Sequence, residues 1–267
     1  MSDRAPADRP LVAILAGGLG TRLAEHTETR PKPMVEIGGR PLLWHIMKHY
    51  HRYSFTEFVI ALGYRAELVK RWFRDYHELA GDLTVRLPQG RTEVSGRPCE
   101  RWTVHLVDTG QRTETGGRLH RLRPWLGGRT FMATYGDGVS DVDLDRLLGF
   151  HRAHGRLATV TAVRPPARFG GLVFDRRHPD LVAEFGGRRQ VGEGWINGGF
   201  MVLEPAVLDL LDGDDRSLEA DGLQRLAECG QLAAYRHGEF WQCMDTLRDV
   251  RLLQDLWQRG APWRTWS

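Results

Sequence analysis

The residues best suited to chemistry sit in separated segments. Gly17-Gly18-Leu19-Gly20-Thr21-Arg22-Leu23 follows a short apolar run. Glycines there let successive main-chain N–H groups approach closely and cradle phosphate oxygens at a helix start. Thr29-Arg30-Pro31-Lys32-Pro33-Met34 sets Lys32 between two prolines. Proline fixes φ, so the Lys32 ammonium is held in one direction, and aimed at a polyphosphate it offsets charge that builds during transfer. Lysine occurs only at 32, 48 and 70 among 37 basic residues, so a chain that writes arginine almost everywhere retains lysine here. Asp137, in Tyr135-Gly136-Asp137-Gly138, closes another apolar run, and a carboxylate with glycines on both sides suits a hard cation such as Mg²⁺. Asp245 lies far along the chain in Trp241-Gln242-Cys243-Met244-Asp245-Thr246. Spacing does not pair it with Asp137, and a lone Asp beside glycine is also a turn or cap residue.

Several alternatives fail on the residues themselves. A dinucleotide fingerprint needs a third glycine where Leu23 stands, and no GK[ST] closes the loop as a Walker A motif requires. No Ser-His-Asp or Cys-His arrangement has a suggestive spacing. The histidines are scattered; His45 and His49 are four apart on a predicted helix, where a surface or interface role is expected. Without HExxH or paired cysteines they define no zinc site.

The elements that must position these residues follow from periodicity. Residues 11–16 (LVAILA) and 58–63 (FVIALG) read as buried strands, with helices over 41–53 and 67–76. Such alternation predicts an α/β fold: an open, mostly parallel, Rossmann-like sheet flanked by helices, with a smaller mixed α+β lobe. The 82–108 stretch carries VRL and WTVHLVD around a turn, an antiparallel hairpin or edge addition. Beyond it come a helix over 119–126, a strand over 130–135, a helix over 144–154 and strands over 158–163 and 198–203. The chain from Pro205 onward reads as mainly helical. The expected organisation is a disordered leader at 1–10, an α/β core at 11–165 and a smaller mixed region at 166–267, the last two closely associated and compatible with a single domain.

Bulk properties narrow the partners. A length of 267 residues with 41% hydrophobic content suits this compact architecture, and a net charge of +3 spread along it predicts neither nucleic-acid nor membrane binding. No apolar run reaches membrane-spanning length, and residues 1–10 lack the apolar stretch of a signal peptide. Cys99, Cys229 and Cys243 form no disulfide framework, which favours a reducing cytoplasm.

AGGLGTRL…RPKPMVEIGG resembles the opening motif of the sugar nucleotidyltransferases. LWHIMKHY, VDTG, TGGRL, TYGDG, INGGF, FWQCMDTLRD and APWRTW are similar, more narrowly, to the glucose-1-phosphate cytidylyltransferases, and these matches run in order from Leu11 to Trp266. The resemblance implies attack by a sugar-1-phosphate on the α-phosphorus of CTP, yielding CDP-glucose and pyrophosphate for deoxysugar biosynthesis. It implies Mg²⁺ shared by Asp137 and Asp245, and catalysis by Arg22, Lys32 and Asp137. Leu15, Gly17, Gly18, Gly20, Thr21, Arg22, Thr115, Gly116 and Gly117 take the nucleotide; Arg188, Asn197, Gly198 and Glu219 take the sugar phosphate. It also implies a homo-oligomer, with residues 11–165 as the nucleotide-binding core and 166–267 as the sugar-phosphate-binding and oligomerisation region. One segment departs from the family: where F-x-E-K-P is usual, the chain has Phe185-Gly186-Gly187-Arg188-Arg189. That leaves dTTP or UTP, or a different sugar or cyclitol phosphate, as alternatives, and a non-catalytic sugar-nucleotide-binding relative as another.

Overall fold

A computed structural model describes residues 9–18, 20, 29–96, 100–164, 172–175, 177–185 and 194–266. Strand β1 (Val12–Leu15) leads to a 3-10 turn at Lys32–Met34, the short strands β2 (Glu36–Ile37) and β3 (Arg40–Pro41), helix α1 (Leu42–Arg52), β4 (Glu57–Leu62) and α2 (Ala66–Leu79). Next come β5 (Asp82–Arg86), β6 (Arg91–Ser95), β7 (Thr103–Asp108), α3 (Thr115–Arg121), α4 (Arg123–Leu126), β8 (Phe131–Tyr135), β9 (Gly138–Ser140), α5 (Leu144–His154) and β10 (Ala158–Val163). The chain ends with β11 (Leu172–Phe174), β12 (Val182–Phe185), β13 (Ile196–Leu203), α6 (Gln224–Glu228), β14 (Leu232–Arg236), β15 (Trp241–Cys243) and α7 (Leu247–Gln258).

Seven strands form one sheet in the order β14-β10-β13-β8-β1-β4-β7, parallel except around β13, which runs antiparallel to both neighbours. Period-two geometry divides the core. Val12 and Ile14 of β1 pack with Leu42 and Ile46 of α1, Leu147 of α5 and Leu253 of α7. Ala13 and Leu15 point the other way, into a layer with Leu119, Leu122, Leu211 and Leu223. Helices therefore cover both faces, and this is why the central strands read as continuous apolar runs without alternation. Among the described residues no helix is long and apolar enough to cross a membrane.

The structure corrects some expectations. Of the two readings of the 82–108 stretch each holds in part: β5 pairs with β6 as an antiparallel hairpin, and WTVHLVD forms β7, a parallel edge strand on β4. Helical elements predominate beyond Pro205, as expected, but two strands stand among them: β14 joins the sheet parallel to β10, and β15 pairs with β9. Leu-Ala-Ala-Tyr-Arg carries little β-propensity, so pairing rather than intrinsic preference makes it a strand. Because β13 stands between β10 and β8, strands from both sides of residue 165 interleave in one sheet. His45 and His49 are core residues and not surface ones, 0% and 2% exposed. His45 Nε2–H donates to Ile37 O at 2.8 Å, and burial pulls both rings down to a pKa of about 4. Trp263 is fully buried and its indole N–H points at His45 Nδ1 (3.4 Å), which commits it to its own chain's core.

Candidate active site

Backbone pairing brings the two predicted carboxylates together. Strand β8 runs out at Tyr135, and Gly136 then passes so close to Pro33 that a Cβ would lie 2.9 Å from Pro33 Cγ. Only glycine allows that approach without a shift. The three-residue ladder of β9 with β15 aligns Cys243 with Gly138, and Met244 N donates to Asp137 O at 2.8 Å. Asp245 is fixed by the start of α7: its amide donates to Asp249 Oδ2 (3.0 Å), and Thr246 and Asp249 form the capping box of that helix. Residues 108 positions apart thus become neighbours.

Lys32 joins them from the 3-10 turn, where Val35 N bonds Lys32 O at 3.1 Å and Pro33 sits within the first turn. Its Nζ donates to Asp137 Oδ2 at 2.8 Å and to Asp245 Oδ1 at 2.5 Å. The Lys32 and Asp245 side chains are each 11% exposed, while Asp137 at 35% opens toward solvent. Burial alone lowers an ammonium pKa, but the Asp137 and Asp245 carboxylates outweigh it and Lys32 stands above its ordinary value. Burial, then Asp245, push the adjacent Cys243 thiol up to about 12, which makes it a poor nucleophile.

This trio borders a cavity of about 590 Å³. Leu15, Gly17, Gly18, Gly20 and Thr115 of the predicted nucleotide set line it. Gly116 and Gly117 do not; their amides both donate to Arg216 O (2.8 and 3.1 Å), so these glycines serve the packing of α3 against the 211–218 segment. Asn197, Gly198 and Glu219 lie behind the cavity wall, joined through Tyr135. The Tyr135 hydroxyl donates to Glu219, Asn197 Nδ2 donates to Tyr135 OH (3.4 Å), and Thr115 Oγ1 donates to Glu219 Oε2 (2.7 Å). Trp241 Nε1–H donates to Gly198 O at 2.7 Å, tying this group to β15. Thr21, Arg22 and Arg188 lie outside the described residues.

The sequence profile of the nucleotidyl transferase family matches residues 11–258. The chain belongs to that family. It is 48% identical over 256 residues to the glucose-1-phosphate cytidylyltransferase of Salmonella typhimurium, covering 95% of this chain and 98% of that one. It is 39% identical to the probable glucose-1-phosphate cytidylyltransferase of Bacillus subtilis, at the same coverage. Among solved structures, the fold is similar to HddC from Yersinia pseudotuberculosis complexed with GMP-PN, with a TM-score of 0.74, 22% identity and coverage of 93% and 99%. A UDP-glucose pyrophosphorylase complexed with UDP-glucose gives a TM-score of 0.72 at 13% identity, covering 94% and 99%.

Nucleotidyl transferases generally use a divalent metal, and the donor set here fits one. Two carboxylate oxygens that touch a single nitrogen are close enough to share a cation. Mg²⁺ is commonly held by one or two carboxylates, with substrate phosphates and water completing six oxygens. Among the described residues no third acidic, His or Cys ligand joins them. Motif reading also missed two residues of this candidate site. Tyr135 and Arg118 both line the cavity, although each stands inside a motif, TYGDG and TGGRL. Arg118 is 4% exposed, and its guanidinium donates to Gly110 O (2.6 Å) and Thr109 Oγ1 (2.9 Å). A Cβ on Gly17 would fall 2.2 Å from its Nη1, so the first loop glycine is required by this buried cation. The available signal was helical phase: Arg118 sits one turn into α3, three residues after Thr115.

Proposed function

We propose that the chain transfers a cytidylyl group from CTP to glucose-1-phosphate, giving CDP-glucose and pyrophosphate. The carrying observation is the convergence of Lys32, Asp137 and Asp245 on a cavity that the glycine loop also lines. The 48% identity to a glucose-1-phosphate cytidylyltransferase over 95% of the chain supports the substrate pair.

In this reading a phosphate oxygen of the sugar phosphate attacks the α-phosphorus in line and pyrophosphate departs. The nucleophile is already an anion, so no general base is needed and catalysis consists of positioning and charge neutralisation. Asp137 and Asp245 hold Mg²⁺, which supplies Lewis acidity at the phosphate oxygens. Lys32 and Arg22 neutralise the departing pyrophosphate, and the amides of Gly17, Gly18 and Gly20 cradle phosphate oxygens. Leu15, Thr21 and Thr115 complete the nucleotide side, with the buried Arg118 cation lining the same cavity. Asn197, Gly198 and Glu219 take sugar hydroxyls, and Arg188 grips the sugar phosphate. Residues 11–165 thus carry the nucleotide, and 166–267 the sugar phosphate and the contacts of a cytoplasmic homo-oligomer.

Pyrophosphate release across a panel of nucleoside triphosphates and sugar phosphates, with Mg²⁺ and with EDTA, tests this. CTP with glucose-1-phosphate is expected to give the highest kcat/KM, and EDTA to abolish it. Preference for UTP, dTTP or another sugar or cyclitol phosphate would overturn the substrate assignment. Turnover with no pair would favour the non-catalytic relative.

A further inference from the structure

We propose that Lys32 and a divalent ion are alternative occupants of the Asp137–Asp245 pair, so that ion entry displaces the ammonium and frees it to face the cavity. The inference rests on the reading of these carboxylates as the metal pair.

The geometry makes the two cations competitors. Lys32 Nζ is bonded to one oxygen of each carboxylate, at 2.8 and 2.5 Å. An ion gripped by the same two oxygens, at Mg²⁺–oxygen distances of about 2.0–2.1 Å, needs the space that nitrogen fills. Both cations together would place like charges in contact inside a partly buried pocket, where screening is weak.

The structure also fixes which partner moves. The main chain under each carboxylate is held, that of Asp245 by its amide on Asp249 and the adjoining capping box of α7, that of Asp137 by its carbonyl accepting from Met244 N, and each carboxylate hangs on a single methylene. Lys32 carries its charge on a flexible four-carbon stem and already lines the cavity. The carboxylates stay and the ammonium swings. Charge bookkeeping agrees: two carboxylates with one ammonium leave a net negative charge that draws a divalent ion, and with the ion they are neutral. The released ammonium then meets the phosphates of an incoming nucleotide, so one substitution of cations both fills the metal pair and arms the phosphate side.

The experiment is a Mn²⁺ titration of the full chain without nucleotide, read by water-proton relaxation, on wild type, Lys32→Gln, Lys32→Met, Arg112→Gln and Asp137→Asn. Arg112 lines the same cavity and controls for loss of a nearby positive charge. Competition predicts that both Lys32 variants bind Mn²⁺ about tenfold tighter or more, while Arg112→Gln changes affinity less than about threefold. Unchanged or weaker binding in the Lys32 variants, or equal tightening in Arg112→Gln, would overturn the exchange. If Asp137→Asn weakens binding while the Lys32 variants do not tighten it, the exchange alone is wrong. If Asp137→Asn binds like wild type, the metal-pair reading falls too. A readout on the unaltered protein covers variants that do not fold. With ¹⁵N-lysine the chain carries label only at Lys32, Lys48 and Lys70, and saturating Mg²⁺ is expected to shift the Lys32 ammonium signal alone. A Lys32 signal that stays put at saturation contradicts the proposal.

Discussion

The two sides of the cavity wall hold carboxylates on opposite plans. On one side, Asp137 and Asp245 surround the single nitrogen of Lys32, and positive and negative groups meet directly. On the other, one carboxylate, Glu219, is surrounded by neutral hydroxyls: it accepts from Tyr135, from Thr115 Oγ1 at 2.7 Å and from Ser217 Oγ at 2.9 Å. A carboxylate offers about four acceptor sites, so Glu219 has most of its capacity engaged within the protein itself. The contrast separates two jobs. On the proposed reading the charged side exchanges one cation for another and neutralises phosphates, while the hydroxyl-bound side is pre-organised to hold a shape. Tyr135 links them, because its backbone leads into Asp137 while its hydroxyl, buried and held far above its ordinary pKa by burial and then by Glu219, anchors the second network.

Substitutions break that contrast in order of size. Asp245→Asn or Asp137→Asn is expected to lower kcat by about 10²–10³ or more, because a preorganised charge at the reacting phosphates is lost. Steady-state pyrophosphate release checks it, and a loss under threefold would move the chemistry elsewhere.

Next in size is an effect on stability and not on chemistry. His45 and His49 are neutral in the fold with pKa about 4, against about 6.5 when unfolded. A folded-state pKa below the unfolded one gives stability that is full above pH 6.5 and lost as pH falls toward 4. Between pH 7 and 5 the loss is about 2 kcal/mol per ring, readable by urea unfolding at each pH. A flat profile would contradict the burial assigned to these rings.

Tyr135→Phe is smaller and sharper. Removing one hydrogen bond to a charged group costs about 1.5–3 kcal/mol, here at the sugar side. The KM for sugar phosphate is expected to rise about tenfold while that for CTP changes less than twofold. Equal changes in both would erase the distinction between the two sides. Smallest of all, Leu87→Ser on the exposed hairpin, where Leu87 is 83% exposed, is expected to shift unfolding free energy by no more than about 0.5 kcal/mol and leave kcat unaltered.

How far the sequence could be read depends on the same physics. Helix α5 and strand β10 appear where periodicity sets them, since each has clear apolar spacing, and α5 adds a cap at Asp143 and a left-handed Gly155 after its last residue. Lys32 and Asp137 stand out because proline and glycine punctuate them. Asp245 entered through family resemblance alone. The ladder that delivers it is three residues long, too short for any period to register, and its partner strand is over a hundred residues away. Strand β14 was hidden for a related reason: its alanines fill space beside β10 without announcing a strand. Gly116 and Gly117, expected among the nucleotide-binding residues, let α3 lie against Arg216 O, a demand set by tertiary packing that no local pattern encodes.

The central claim is that two carboxylates from distant parts of the chain act on one cation. A double-mutant cycle on Asp137→Asn and Asp245→Asn, measured as kcat/KM for pyrophosphate release, tests it most directly. If they form one centre, the double variant falls no more than about threefold below the worse single one. Losses that multiply would mean two independent sites and would contradict the account.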